Sequence, residues 1–66
     1  MMKQDYLRKQ VKLIKAEYDD INYYDLAEYI KITEASFYNW LSGYYELSRK
    51  KESLLKEIAI DLLDLN

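Results

Sequence analysis

This 66-residue sequence predicts an all-α fold, four or five short helices packed around one core. Three observations carry that expectation. Apolar residues recur at spacings of three and four along most of the chain. Good capping residues, Asn22, Thr33 and Ser48, stand at the heads of three of the apolar stretches. There is no proline and one glycine, and hydrophobic residues make up 50%, a composition suited to helix.

The length is that of one domain, which buries roughly 60% of the surface its unfolded chain exposes. With no cysteine and no histidine, neither a disulfide nor a zinc staple is available, so packing must hold the fold, with a second subunit as a further source of stability. No metal or cofactor is expected. No apolar run approaches the roughly 18 residues of a membrane span, and the start, MMKQDYLRKQ, lacks the apolar stretch of a signal peptide. The expected location is cytoplasmic, with no membrane partner.

Leu7, Val11, Ile14 and Tyr18 mark one face of a first helix over about residues 3–18. The cations Arg8, Lys9, Lys12 and Lys15 fall mostly off that stripe and form either a solvated face or a patch for phosphates or an acidic partner. Asp19 and Asp20 end the helix in a turn. Asn22 then caps a second helix over about 23–30, Asp25 favours its positive end, and Leu26, Ala27 and Ile30 face inward. The small Ala27 allows close approach of a neighbouring helix. Lys31 and Ile32 form the next turn, with Ile32 directed back to the core.

Thr33 caps a third helix over about 33–42, Glu34 suits its first turn, and Gly43 stops it. Phe37, Trp40 and Leu41 should be buried. Tyr44 to Glu46 make a loop, and Ser48 caps a last helix over about 48–64, carrying Leu54, Leu55, Ile58 and Leu62 with Leu65 beyond. Ile60 and Leu63 lie off that stripe and are the candidate contacts of a homodimer. Arg49, Lys50 and Lys51 crowd the first turn of this helix, where the dipole disfavours cations, so they are either phosphate contacts or a solvated basic turn.

The second and third helices are separated by only three or four residues and must cross sharply, which leaves the outer face of the third free. That is the layout of a helix-turn-helix, the arrangement of proteins that read double-stranded DNA. The free face would carry Glu34, Ala35, Tyr38 and Asn39, with Thr33 and Ser36 nearby. These groups suit base edges: Asn pairs bidentately with adenine, Glu accepts from a cytosine amino group, and Ala meets a thymine methyl.

The stretch DLAEYIKITEASFYNWLSG resembles the helix-turn-helix of the λ-repressor-like (XRE) family, which includes phage Cro and repressor proteins and small bacterial regulators. The resemblance rests on Leu26-Ala27, Ile30, Ile32, Thr33, Phe37 with Trp40, and Gly43, aligned without a gap. It implies a sequence-specific transcriptional regulator of phage or mobile-element type, with base contacts from Thr33, Glu34, Ala35, Tyr38 and Asn39 and with Ser36 near the backbone. The family prefers glycine in the turn, where this chain has Lys31. If the left-handed geometry is kept, that residue costs on the order of 1 kcal/mol. A glutamine that commonly opens the first motif helix and touches phosphate is replaced by Tyr23, whose hydroxyl can still donate there. Lys31, like Tyr23, is then a candidate phosphate contact.

Charge complicates the DNA reading. Residues 1–16 carry five cations against Asp5, a balance of +4; residues 17–47 carry seven acids against Lys31, a balance of −6; residues 48–66 are neutral. Since phosphate neutralisation supplies much of DNA affinity, the charge must come from residues 8–15 and 49–51, outside the motif. Eight tyrosines, with Tyr23, Tyr24, Tyr29, Tyr38, Tyr44 and Tyr45 in the acidic middle section, offer the alternative of a protein-binding module such as a phage-type inhibitor or anti-repressor. An enzyme is the weakest reading, because no nucleophile has a base and no glycine-rich loop could cradle a phosphate.

Overall fold

The computed structural model describes residues 4–64. Four helices follow in order: α1 (Asp5–Glu17), α2 (Tyr23–Tyr29), α3 (Glu34–Leu41) and α4 (Arg49–Leu63). The expected helices run one or two residues beyond these because they included the caps. The expected start at residue 3 and the apolar Leu65 lie outside the described residues.

Local chemistry sets each end. Asn22 and Asp25 form a reciprocal capping box, the Asn22 side chain accepting from the Asp25 amide and the Asp25 carboxylate from the Asn22 amide, both at 3.0 Å. Thr33 Oγ1 accepts from the Ser36 amide at 3.1 Å and Ser48 Oγ from the Lys51 amide at 3.4 Å, so α3 and α4 begin where expected.

Helices α2 and α3 stop in the same way. At the end of α3 the Tyr44 amide donates to Asn39 O and the Gly43 amide to Trp40 O; at the end of α2 the Ile32 amide donates to Ala27 O and the Lys31 amide to Glu28 O. Each is a Schellman closure, which needs a left-handed residue just past the cap. Gly43 takes that position in α3 with φ 90°, and Lys31 takes it in α2 with φ 63°. The geometry that favours glycine is therefore kept with a lysine. Lys31→Gly is expected to raise stability by about 0.5–1 kcal/mol, the relief of left-handed strain less the added freedom of the unfolded chain. A urea titration should show a higher midpoint at unchanged slope, and no gain would mean Lys31 is unstrained.

The stripes converge as expected. Leu7, Val11 and Ile14 of α1, Leu26, Ala27 and Ile30 of α2, Phe37 and Trp40 of α3, and Leu55 and Ala59 of α4 share one buried cluster. Helix α2 packs on α3 and α1 on α4. Tyr18 is half-buried, and its hydroxyl donates to Leu62 O, joining the ends of α1 and α4. Among the described residues no helix is long and apolar enough to cross a membrane.

A buried polar network is the part that periodicity does not predict. Gln4 Oε1 accepts from the Trp40 indole at 2.7 Å and the Leu47 amide at 2.8 Å, while its Nε2 donates to Leu47 O at 3.1 Å. Arg8, expected among the outer cations of α1, in a solvated face or a patch for phosphates or an acidic partner, is 4% exposed. Its Nε donates to Trp40 O, and its terminal nitrogens reach Asp5 at 3.0 Å, Tyr45 O at 2.8 Å and Glu46 at 3.3 Å. The carbonyls at the end of α3 and in the following loop face α1, and a buried carbonyl needs a donor. Arg8 supplies it, so this cation is withdrawn from any outer surface.

Candidate nucleic-acid interface

Helix α3 is held by one side and free on the other. Phe37, Trp40 and Leu41 are buried, whereas Glu34, Ala35, Tyr38 and Asn39 are exposed, with Thr33 exposed and Ser36 half-buried beside them. Spacings of three and four place Ala35, Tyr38, Asn39 and Ser42 along one outer stripe. Phe37 and Trp40 pack ring to ring at 5.5 Å beneath it. The helix is anchored by large rigid side chains, so its outer groups are held in fixed register.

Tyrosines edge this face. Tyr23, at the start of α2, meets Tyr38 edge-on at 5.5 Å and Phe37 at 5.8 Å. Burial, with Tyr38 adding to it, raises the Tyr23 hydroxyl above the usual tyrosine pKa. Like any tyrosine it is protonated at neutral pH and has a proton to donate, and the upward shift works in the same direction. Tyr45, in the loop after α3, donates its hydroxyl to Ser36 O at 2.8 Å and ties that loop to α3. Tyr44 is 78% exposed.

The cations are distributed differently from the expectation. Lys51 is half-buried, and its ammonium donates to Ile30 O at 3.1 Å, at the negative end of α2. Its place in the first turn of α4 thus has an internal cause: it caps a neighbouring helix. Arg49 and Lys50 are exposed, as is Lys31. Lys9, Lys12 and Lys15 keep the outer side of α1. Of the two expected dimer contacts, Ile60 is 41% exposed beside Tyr6, Gln10 and Lys56, while Leu63 is half-buried against the core.

Comparison with protein-family models, with curated proteins and with solved structures finds no match to the chain. The arrangement of α3 must therefore be weighed on its own chemistry. Among the described residues no three His, Cys, Asp or Glu side chains gather as metal ligands. Gln4 stands three residues before Leu7 and so continues the α1 stripe by one turn, and Arg8 stands three before Val11 at its edge, but the spacing does not say what either side chain bonds.

Proposed function

We propose that this protein is a small cytoplasmic, sequence-specific DNA-binding regulator of the λ-repressor-like kind, with α2 and α3 acting as a helix-turn-helix and α3 lying in the major groove. It would act by occupying DNA, without chemistry of its own. The observation that carries the reading is the two-sidedness of α3: Phe37, Trp40 and Leu41 hold it while Glu34, Ala35, Tyr38 and Asn39 stand free. Thr33 is bound to its cap role through Oγ1 yet lies exposed at the same end.

Lys31, Arg49, Lys50 and the Tyr23 hydroxyl are the phosphate donors on this reading, Ser36 standing close to the backbone. Lys51 contributes less, since Ile30 O already holds its ammonium. A lysine kept at a left-handed position that glycine fills more cheaply supports a role for its charge. Selection from random duplex DNA at low salt should enrich one sequence class. Asn39→Ala should then lose about 1–3 kcal/mol of affinity for it at an unchanged melting temperature. Equal binding by the variant would remove Asn39 from recognition.

A homodimer on a two-fold site fits the exposed apolar side chains Tyr6, Leu13 and Ile60. A second reading, a protein-binding module, draws on a specific feature of α2: Tyr24 and Tyr29 are exposed among Asp25 and Glu28. Failure of any duplex to enrich would favour it.

A further inference from the structure

The charge that a DNA interface needs is missing from α2 and α3, and two of the cations first counted toward it, Arg8 and Lys51, are spent inside the fold. Of the cations that remain on α1, Lys9 and Lys12 gather in one place. Between the N-terminal half of α1 and the end of α3 lies an open depression of about 590 Å3, lined by Asp5, Arg8, Lys9, Lys12, Ser42 and Gly43 over Leu41.

Its one carboxylate is committed to an ion pair, whereas its lysines are not. Asp5 is paired with Arg8 at 3.0 Å, and Arg8 is also held by Glu46 at 3.3 Å. Lys9 and Lys12 are exposed and have no ion pair among the described residues. Nor are they needed to close α3: Tyr38 O, Asn39 O and Trp40 O accept from the amides of Ser42, Tyr44 and Gly43, with Arg8 adding to Trp40 O. The depression therefore presents two uncommitted ammonium groups and the exposed Ser42 side chain, all donors.

Its position links it to the outer stripe of α3. Ser42 follows Asn39 by three residues and Tyr38 by four, so the exposed stripe of α3 runs directly into the depression. We propose that this depression seats a backbone phosphate of the DNA, Lys9 and Lys12 neutralising it and Ser42 donating a hydrogen bond. The inference rests on the DNA-binding reading above. It supplies that reading with charge at the C-terminal end of α3, while Lys31 stands just before its N-terminal end, and a duplex lying along α3 would meet a cation at either end.

The test is the salt dependence of binding to the selected duplex, comparing wild type with Lys9→Gln/Lys12→Gln and with Asn39→Ala. Losing the neutralisation of this one phosphate should flatten the slope of log K against log[salt] by about 1 and weaken cognate and unrelated duplexes alike. Asn39→Ala should leave the slope unchanged and lower only the preference for the cognate site. Circular dichroism should show equal melting temperatures for wild type and the double variant. An unchanged slope in the double variant, with wild type binding normally, would overturn the phosphate seat and leave the DNA reading standing. Absence of duplex binding by wild type at low salt would overturn both.

Discussion

Trp40→Ala is expected to unfold the domain at 25 °C, or to leave it with a small remainder of its stability. The indole is 0% exposed, and truncating a buried Phe or Trp to Ala costs about 3–5 kcal/mol. A domain of 66 residues has a total stability of roughly 3–10 kcal/mol, so the loss is comparable to the whole. Three further contacts add to the volume term. Phe37 packs on the ring at 5.5 Å, the Arg8 guanidinium stands 5.0 Å from its centroid, and the indole N–H donates to Gln4. Trp40→Phe separates these contributions, keeping most of the apolar volume and removing the donor. It should melt cooperatively with a loss of about 1–2 kcal/mol, the cost of a missing buried hydrogen bond and a smaller ring. Far-ultraviolet circular dichroism during a urea titration reads both variants. A Trp40→Ala protein that melts within a few degrees of wild type would show that the core is centred elsewhere.

What could be read from the sequence was what depends on neighbours within one or two turns. The caps at Asn22, Thr33 and Ser48 bond to amides three residues away, and apolar spacing alone placed Leu26, Phe37 and Trp40 inside. Lys31 was legible too, since one residue's fit to a left-handed turn is a local matter. The network around Gln4 and Arg8 was not, because its partners other than Asp5 are 32–43 residues away. A polar side chain on an apolar stripe has two fates, and only the fold shows whether carbonyls wait opposite it. Lys51 follows the same logic: its charge looked wrong for its own helix and is right for the end of α2. For the candidate interface, exposure of Glu34, Ala35, Tyr38 and Asn39 followed from α3's inward residues. The depression beside Ser42 exists only once α1 is packed against the end of α3.

Arg8→Ala is expected to cost about 2–4 kcal/mol, second only to the loss of Trp40. The guanidinium is 4% exposed and joins two backbone carbonyls, two carboxylates and one aromatic ring. Trp40 O keeps the Gly43 amide when the side chain is removed, whereas among the described residues no other donor is seen at Tyr45 O. The bond to Tyr45 O is part-buried, so leaving that carbonyl without its donor costs about 1–2 kcal/mol, and the lost cation–ring contact adds about 1–2. Asp5 and Glu46 are side chains 48% and 33% exposed, so water takes over much of their solvation and their contribution is discounted. Arg8→Lys should recover only a minor part of the loss, because one ammonium cannot span the fork that reaches Trp40 O, Tyr45 O and Asp5 together. The loss should persist in 0.5 M salt, since hydrogen bonds of a buried group are weakly screened. Paired urea titrations at low and high salt check both points. A variant as stable as wild type, or a deficit that salt abolishes, would mean that Arg8 is a surface cation, and its charge would then have to be counted with Lys9 and Lys12 at the candidate interface.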